Sequence, residues 1–212
     1  MRTPSPAGPR RSWTAPGRTR PAACPRFAAD GGGSGLSEDE ARVLFRGKPY
    51  RLRVRLASVR RSAVYAVQDD LWLLVAPQDR RTPEAIFVEW LKGEARRLIP
   101  PRVAELARRY GFRYGRVFIR SQRTRWGTCS SRGHLSFNFR LVLAPPEVLD
   151  YLIVHELAHL RVPNHSRAFW ELVARMCPSY RQCRRWLRIH EPMLMAVGLR
   201  RTPAPSPGRR RR

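Results

Sequence analysis

Three of the five histidines in this 212-residue chain fall within the eleven residues HELAHLRVPNH, from His155 to His165. His155 and His159 are four apart, so on a helix they project from one face about 5–6 Å apart at Cβ and converge on a single cation. Glu156 is turned about 100° from His155. That is too far round for a natural third ligand, but close enough to lie over an open coordination position and take a proton from water. Two ligands and a general base in the pattern H-E-x-x-H are the parts of a hydrolytic metal site. His165 follows His159 by six residues, past a helix end at Pro163-Asn164, where a turn of the chain returns a third imidazole to the same metal. Three histidines on one Zn²⁺ ion leave a fourth position for water.

The helix that must carry this pair opens at Pro145-Pro146-Glu147, and its other face presents Leu149, Leu152, Ile153, Leu157 and Leu160 to a core. Upstream, YRLRVRLA (Tyr50–Ala57) alternates apolar residues with Arg, the period of a half-buried strand. SAVYAV and LWLLVA follow, with Gln68-Asp69-Asp70 as the turn between them, which predicts an antiparallel meander. Thr82-Pro83-Glu84 supplies an N-cap, a proline in the first turn and an early acid. The helix they begin is expected to run to about Leu98 and to break at Pro100-Pro101, with a second helical run reaching Tyr110-Gly111. RVFIRS and HLSFNFRLVL are strand-like, the latter with Leu135, Phe137 and Phe139 on one face. HSRAFWELVARM and SYRQCRRWLRIHEPMLMAVG close the domain as helices. Strands, helices, strands, helices in that order predict an α+β fold.

The charge is uneven. The formal net charge is +26, and the only lysines are Lys48 and Lys92. Six Arg precede Gly35 with Asp30 as the only acid, and six more run from Arg200 onward with none. Between these tails 30 basic and 15 acidic residues remain. A basic domain attracts anionic partners, nucleotides and nucleic acid among them, through its body and its tails. Residues 1–35 read as a disordered basic, Pro-rich leader, 36–199 as a single domain, and 200–212 as a disordered Arg-rich tail. The four cysteines have no metal-site or redox-pair spacing and are expected as thiols in a reducing, cytoplasmic compartment. No apolar run is long enough to cross a membrane.

Beyond the histidines, RTRWGTCSSRGHLSFNFRLVLAPPEVLDYLIVHELAHL (123–160), NHSRAFWELVARMCPSY (164–180) and RRWLR (184–188) occur in order. Together they resemble the YgjP-like metal-dependent hydrolases, and more distantly the SprT-like and WLM metalloproteases, over about residues 40–195. The resemblance implies a compact zincin-like, minigluzincin-type domain with N-terminal antiparallel strands. It also implies His155, His159 and His165 as ligands of one zinc ion and Glu156 as catalytic base. The metzincins share the histidine spacing, but Val162 stands where they have glycine, and there is no Met-turn.

Five further residues are candidates for touching substrate or backing the ligands. Arg123 and Arg125 are suited either to an anionic group of the substrate or to a carboxylate of the protein itself. Trp126 lies beside them, and His134 and Tyr180 are candidates for hydrogen-bonding a tetrahedral intermediate. Phe169 and Trp170 are expected to pack beneath the site. Cys129 reads as a buried thiol or a group behind the ligands, and Glu171 as an alternative third ligand. The leading expectation is a zinc metallopeptidase acting on protein or peptide. The alternatives are a nucleotide pyrophosphohydrolase and a DNA-associated protease or DNA-binding protein.

Overall fold

A computed structural model describes residues 42–198. The expected disorder of 1–35 and 200–212 lies outside the described residues. The order of elements is β1 (Arg42–Phe45), β2 (Lys48–Leu56), β3 (Ala63–Val67), β4 (Asp70–Val75), α1 (Pro83–Tyr110), β5 (Val117–Arg120), β6 (Gly127–Cys129) and β7 (Leu135–Asn138). A 3-10 segment (Phe139–Leu143), α2 (Pro146–Ala158), α3 (Arg167–Met176) and α4 (Tyr180–Ala196) follow. The result is a mixed α+β arrangement with two small sheets and four helices.

The first sheet is not a meander. Its order is β1-β2-β4-β3, and β2 pairs with β4 in parallel, Leu52 opposite Leu71 and Val54 opposite Leu73. The turn at Gln68–Asp69 does join β3 to β4 as an antiparallel pair. The physical reason for the changed order lies in β4. Leu71 and Leu73 are 0 % exposed and neighbouring Leu74 is also buried, so this strand needs cover on both faces and takes a central place. In β3, Tyr65 is 41 % exposed, which suits an edge. The polar side of β2 is tied down where Arg51 donates to Asp70 at 2.7 Å. At the β1–β2 turn, Arg46 and Gly47 both have positive φ. Their N–H groups donate to Val142 O and Leu143 O, docking this sheet against the end of the 3-10 segment that precedes α2. A Cβ at Gly47 would stand 2.6 Å from Pro145, so this close approach requires glycine.

Helix α1 also departs from expectation, because it runs unbroken through Pro100 and Pro101 from the Thr82 cap to Gly111. A proline inside a helix costs about 3 kcal/mol through its missing N–H and its ring clash. Here Leu98, Ile99, Val103 and Leu106 are all buried around the prolines. Each such side chain contributes about 1.5–3 kcal/mol on burial. Arg102, one residue after the prolines, donates twice to Asp150 of α2 at 2.7 and 2.6 Å. Tertiary packing therefore outweighs the local break.

The second sheet has the order β5-β7-β6, with β7 central. The strand read as HLSFNFRLVL ends at Asn138, and Phe139–Leu143 turn into the 3-10 segment. Asn138 causes the change: its Oδ1 accepts from Arg140 N at 3.2 Å. Its Nδ2 donates to Gln122 O and Arg125 O at 2.7 and 3.0 Å. Arg140 is 2 % exposed, and its guanidinium is satisfied by Val197 O, Gln122 O and Asn138 Oδ1. Two buried polar side chains thus pin the 122–125 loop and the end of α4 to the middle of the domain. Cys129, Cys177 and Cys183 are free thiols. No helix among the described residues is long and apolar enough to cross a membrane.

Candidate metal centre

Helix α2 begins after Pro145, with Pro146 and Glu147 in its first turn, and lays Leu152, Ile153, Val154 and Leu157 into the core. His155 occupies its last turn and His159 its C-cap. The chain then turns through 160–164, and His165 stands just before Ser166, the N-cap of α3. The Nε2 atoms of His155 and His165 are 3.1 Å apart. One ring nitrogen from each of His155, His159 and His165 lies within 4.8 Å of the others.

These side chains are held by an aromatic floor. Phe169 is 0 % exposed, and its ring lies 4.9, 4.5 and 4.8 Å from the rings of His155, His159 and His165. Trp170 stacks on His165 at 5.7 Å, and Tyr180 stacks on Trp170 at 5.5 Å. Burial, followed by the neighbouring imidazoles, pushes His155 down to about 3. Burial also lowers His159. Both rings therefore present lone pairs at neutral pH, as a metal requires. The Nδ1–H of His159 donates to Val162 O at 3.3 Å, which leaves its Nε2 as the free ligand atom. His155 Nδ1 is buried with no partner among the described residues.

Two imidazole lone pairs facing at 3.1 Å repel unless a cation or proton lies between them. Zn–N bonds of about 2.0–2.1 Å in a tetrahedral set place their nitrogens roughly 3.3 Å apart. The His155–His165 spacing is close to that, and with a His159 ring nitrogen within 4.8 Å the three residues fit a single shared cation.

Glu156 is 4 % exposed, and burial raises its carboxyl to about 8. Its carboxylate lies against the backbone of Gly127 in β6, where a Cβ would stand 2.5 Å from Oε1. Cys129 on the same strand is half-buried, and its thiol is pushed up by burial and by the charge of Glu156. The glycine of the Arg-Trp-Gly stretch thus makes room for the acid of the histidine motif. No periodicity or spacing within either segment reports that contact.

The remaining candidates separate into two groups. Trp126 and Tyr180 line a cleft of about 990 Å³ that also includes Trp170. Arg123 and Arg125 are exposed on the 121–126 loop, and no described contact brings either guanidinium to the histidines. His134 packs over Gly115 and accepts from Arg116 N through Nδ1 at 2.9 Å, so its Nε2 carries the proton. Glu171 pairs with Arg167 at 2.8 Å and is outside the histidine cluster. Sequence spacing did not single out Gly127 or the arginines of α4 that border the cleft. Their signals were a glycine within a strand and an arginine run on one helix stripe.

A segment of 39 residues is 46 % identical to the UTP pyrophosphatase of Escherichia coli (strain K12). It covers 18 % of this chain and 23 % of that protein, so the chain matches about a quarter of the relative's length. The crystal structure of the metallopeptidase zymogen of Methanocaldococcus jannaschii jannalysin is matched with a TM-score of 0.36 and 21 % identity. That match covers 45 % of this chain and 96 % of the other. The model of the YgjP-like metallopeptidase domain matches residues 34–190. With the match spanning most of the described domain, the chain belongs to the YgjP-like metallopeptidase-domain family.

Proposed function

We propose that the chain is a zincin-type metallopeptidase that holds one zinc ion on His155, His159 and His165 and uses Glu156 as general base. The observation that carries this is the pair of facing Nε2 atoms at 3.1 Å with the Glu156 carboxyl buried one residue away. A cation held there supplies Lewis acidity, which acidifies a water and polarises the scissile carbonyl. The chain's own residues do the rest. The charge of a cation held beside it would keep the buried Glu156 carboxyl ionised. Glu156 would then accept the proton of the attacking water at a carboxylate oxygen and return it from the same oxygen to the departing amide nitrogen. Gly127 lets that carboxylate sit against β6. Phe169 and Trp170 exclude water from the far side of the imidazoles and hold them in place.

The test is Glu156→Gln in zinc-loaded protein, assayed on an unstructured protein substrate. Zinc content and fold should persist while cleavage disappears. Cleavage that survives the substitution would remove Glu156 from this role.

A second reading, a nucleotide pyrophosphohydrolase, is favoured by one observation, the likeness to the UTP pyrophosphatase. Pyrophosphate release from nucleoside triphosphates, measured beside peptide cleavage, separates the two.

A further inference from the structure

The cleft of about 990 Å³ shares Trp170 with the histidine centre but takes no part in the hydrolytic chemistry described above. Arg181, Arg184, Arg185 and Arg188 of α4 border it. Their spacing of three, four and seven residues sets them on one stripe of the helix, about 10 Å long. All four are exposed. Among the described residues none of Arg184, Arg185 and Arg188 has a carboxylate within ion-pair distance, and Arg181 donates to the Tyr180 hydroxyl at 3.2 Å. Of the two acids in the cleft, Glu171 is already paired with Arg167. Four like charges on adjacent turns repel one another, so the surface is complementary to an anion. The stripe starts next to the metal centre: the Arg184 guanidinium lies 4.9 Å over the ring of Trp170, which itself stacks on His165.

The aromatic groups of the cleft decide which anion. Single-stranded nucleic acid is held by stacking bases on free aromatic faces. Here Trp170 is flanked by His165, Tyr180 and Arg184, and Tyr180 lies between Trp170 and the Arg181 guanidinium. Trp126 is 9 % exposed. These rings are already occupied and offer bases no free face to stack on. That leaves the carboxylates of a polypeptide as the anions for the exposed guanidiniums, whose planar fork matches carboxylate and phosphate alike. In an extended peptide, side chains on one face repeat every ~6.6 Å. Guanidinium rows one helical turn apart repeat every ~5.4 Å, a difference that flexible Arg stems absorb.

We infer that this cleft is a substrate subsite for acidic polypeptide segments, in which Arg181, Arg184, Arg185 and Arg188 take Asp or Glu side chains of a chain whose scissile bond lies at the histidine centre. The assignment rests on the peptidase reading above and names the class of polypeptide that the site prefers.

The experiment measures binding in full-length, zinc-loaded Glu156→Gln protein, which cannot turn the ligand over. The probes are a short labelled peptide with alternating Glu, the same peptide with Gln at those positions, and a single-stranded oligonucleotide of equal charge. The Glu peptide is expected to bind about tenfold tighter at low salt, since several exposed charge pairs each add a small increment. That advantage should fade as salt shortens the Debye length. Adding R184Q, R185Q and R188Q together should abolish it and leave binding of the Gln peptide unchanged. In the otherwise wild-type enzyme R185Q with R188Q, which leaves the Arg184 contact with Trp170 in place, should raise KM for the Glu peptide and not alter kcat. Equal affinity for the two peptides, a preference that survives the triple change, or tighter binding of the oligonucleotide than of the Glu peptide would each overturn the assignment. Binding through these arginines without cleavage of any peptide by the wild-type enzyme would keep the anion site and overturn the peptidase reading instead.

Discussion

The histidine centre and the arginine cleft meet at Trp170, yet they are built on opposite principles. In the centre every position is constrained. Phe169 touches all three imidazoles, Glu156 is buried against Gly127, and the ring nitrogens lie within a few ångströms of one another. In the cleft, Arg184, Arg185 and Arg188 are exposed. Their effect comes from summed charge rather than from any one distance. A reaction coordinate needs preorganised groups, whose benefit is lost by displacements of about an ångström. Recruitment of a charged substrate needs only a field, which tolerates mobile side chains and is screened by salt.

That contrast sets how each region should respond to change. The largest effect is expected from His159→Ala: loss of bound zinc by metal analysis, and loss of turnover by at least about a thousandfold, because two imidazoles no longer close the site. Retention of one tightly held zinc per chain would contradict the three-histidine set. Next comes Gly127→Ala, where the new Cβ would meet the Glu156 carboxylate at 2.5 Å. It should lower kcat by ~10²-fold, within the range of general-base catalysis, while zinc content stays at the wild-type level. An unchanged kcat would mean that the close approach of β6 to Glu156 has no part in catalysis.

Phe169→Ala should cost about 3–5 kcal/mol of stability, read by denaturant unfolding, because it empties a fully buried aromatic site. It should also weaken zinc retention, and a variant with normal zinc affinity would show that the floor supports the fold alone. The smallest effect belongs to the cleft side. Arg167→Gln breaks the exposed i,i+4 pair with Glu171. It should change stability by under about 0.5 kcal/mol and leave kcat alone. A loss as large as that of Phe169→Ala would erase the distinction between the two regions.

Much of the centre was legible in order along the chain, because its parts are close in sequence. The four-residue spacing of His155 and His159 is a helix repeat, and the Pro145-Pro146-Glu147 start of α2 is a local signal. His165 was within reach because Pro163-Asn164 marks the turn before it. The candidates outside that segment fared differently. Trp126 and Tyr180 line the cleft, whereas His134 is held by the Arg116 backbone and Arg123 and Arg125 are exposed on a pinned loop. A residue type reports what a side chain is able to do, while its neighbours decide whether it is placed to do it. The expected break at Pro100-Pro101 failed for a related reason: local propensity is a few kcal/mol, and the buried side chains around it together outweigh that.

The sequence by itself determined the α+β class, the helix that carries His155 and His159, the third histidine after a turn, and the strongly basic character of the domain. Each of these depends on neighbours a few residues apart or on composition. Only the tertiary structure decided that β4 lies between β2 and β3, that α1 continues through its prolines, and that Gly127 makes room for Glu156. It also decided that four arginines of α4 face a cleft walled by Trp170. These features join segments far apart in the chain, and they are selected by which apolar faces must be covered and which polar atoms must find partners.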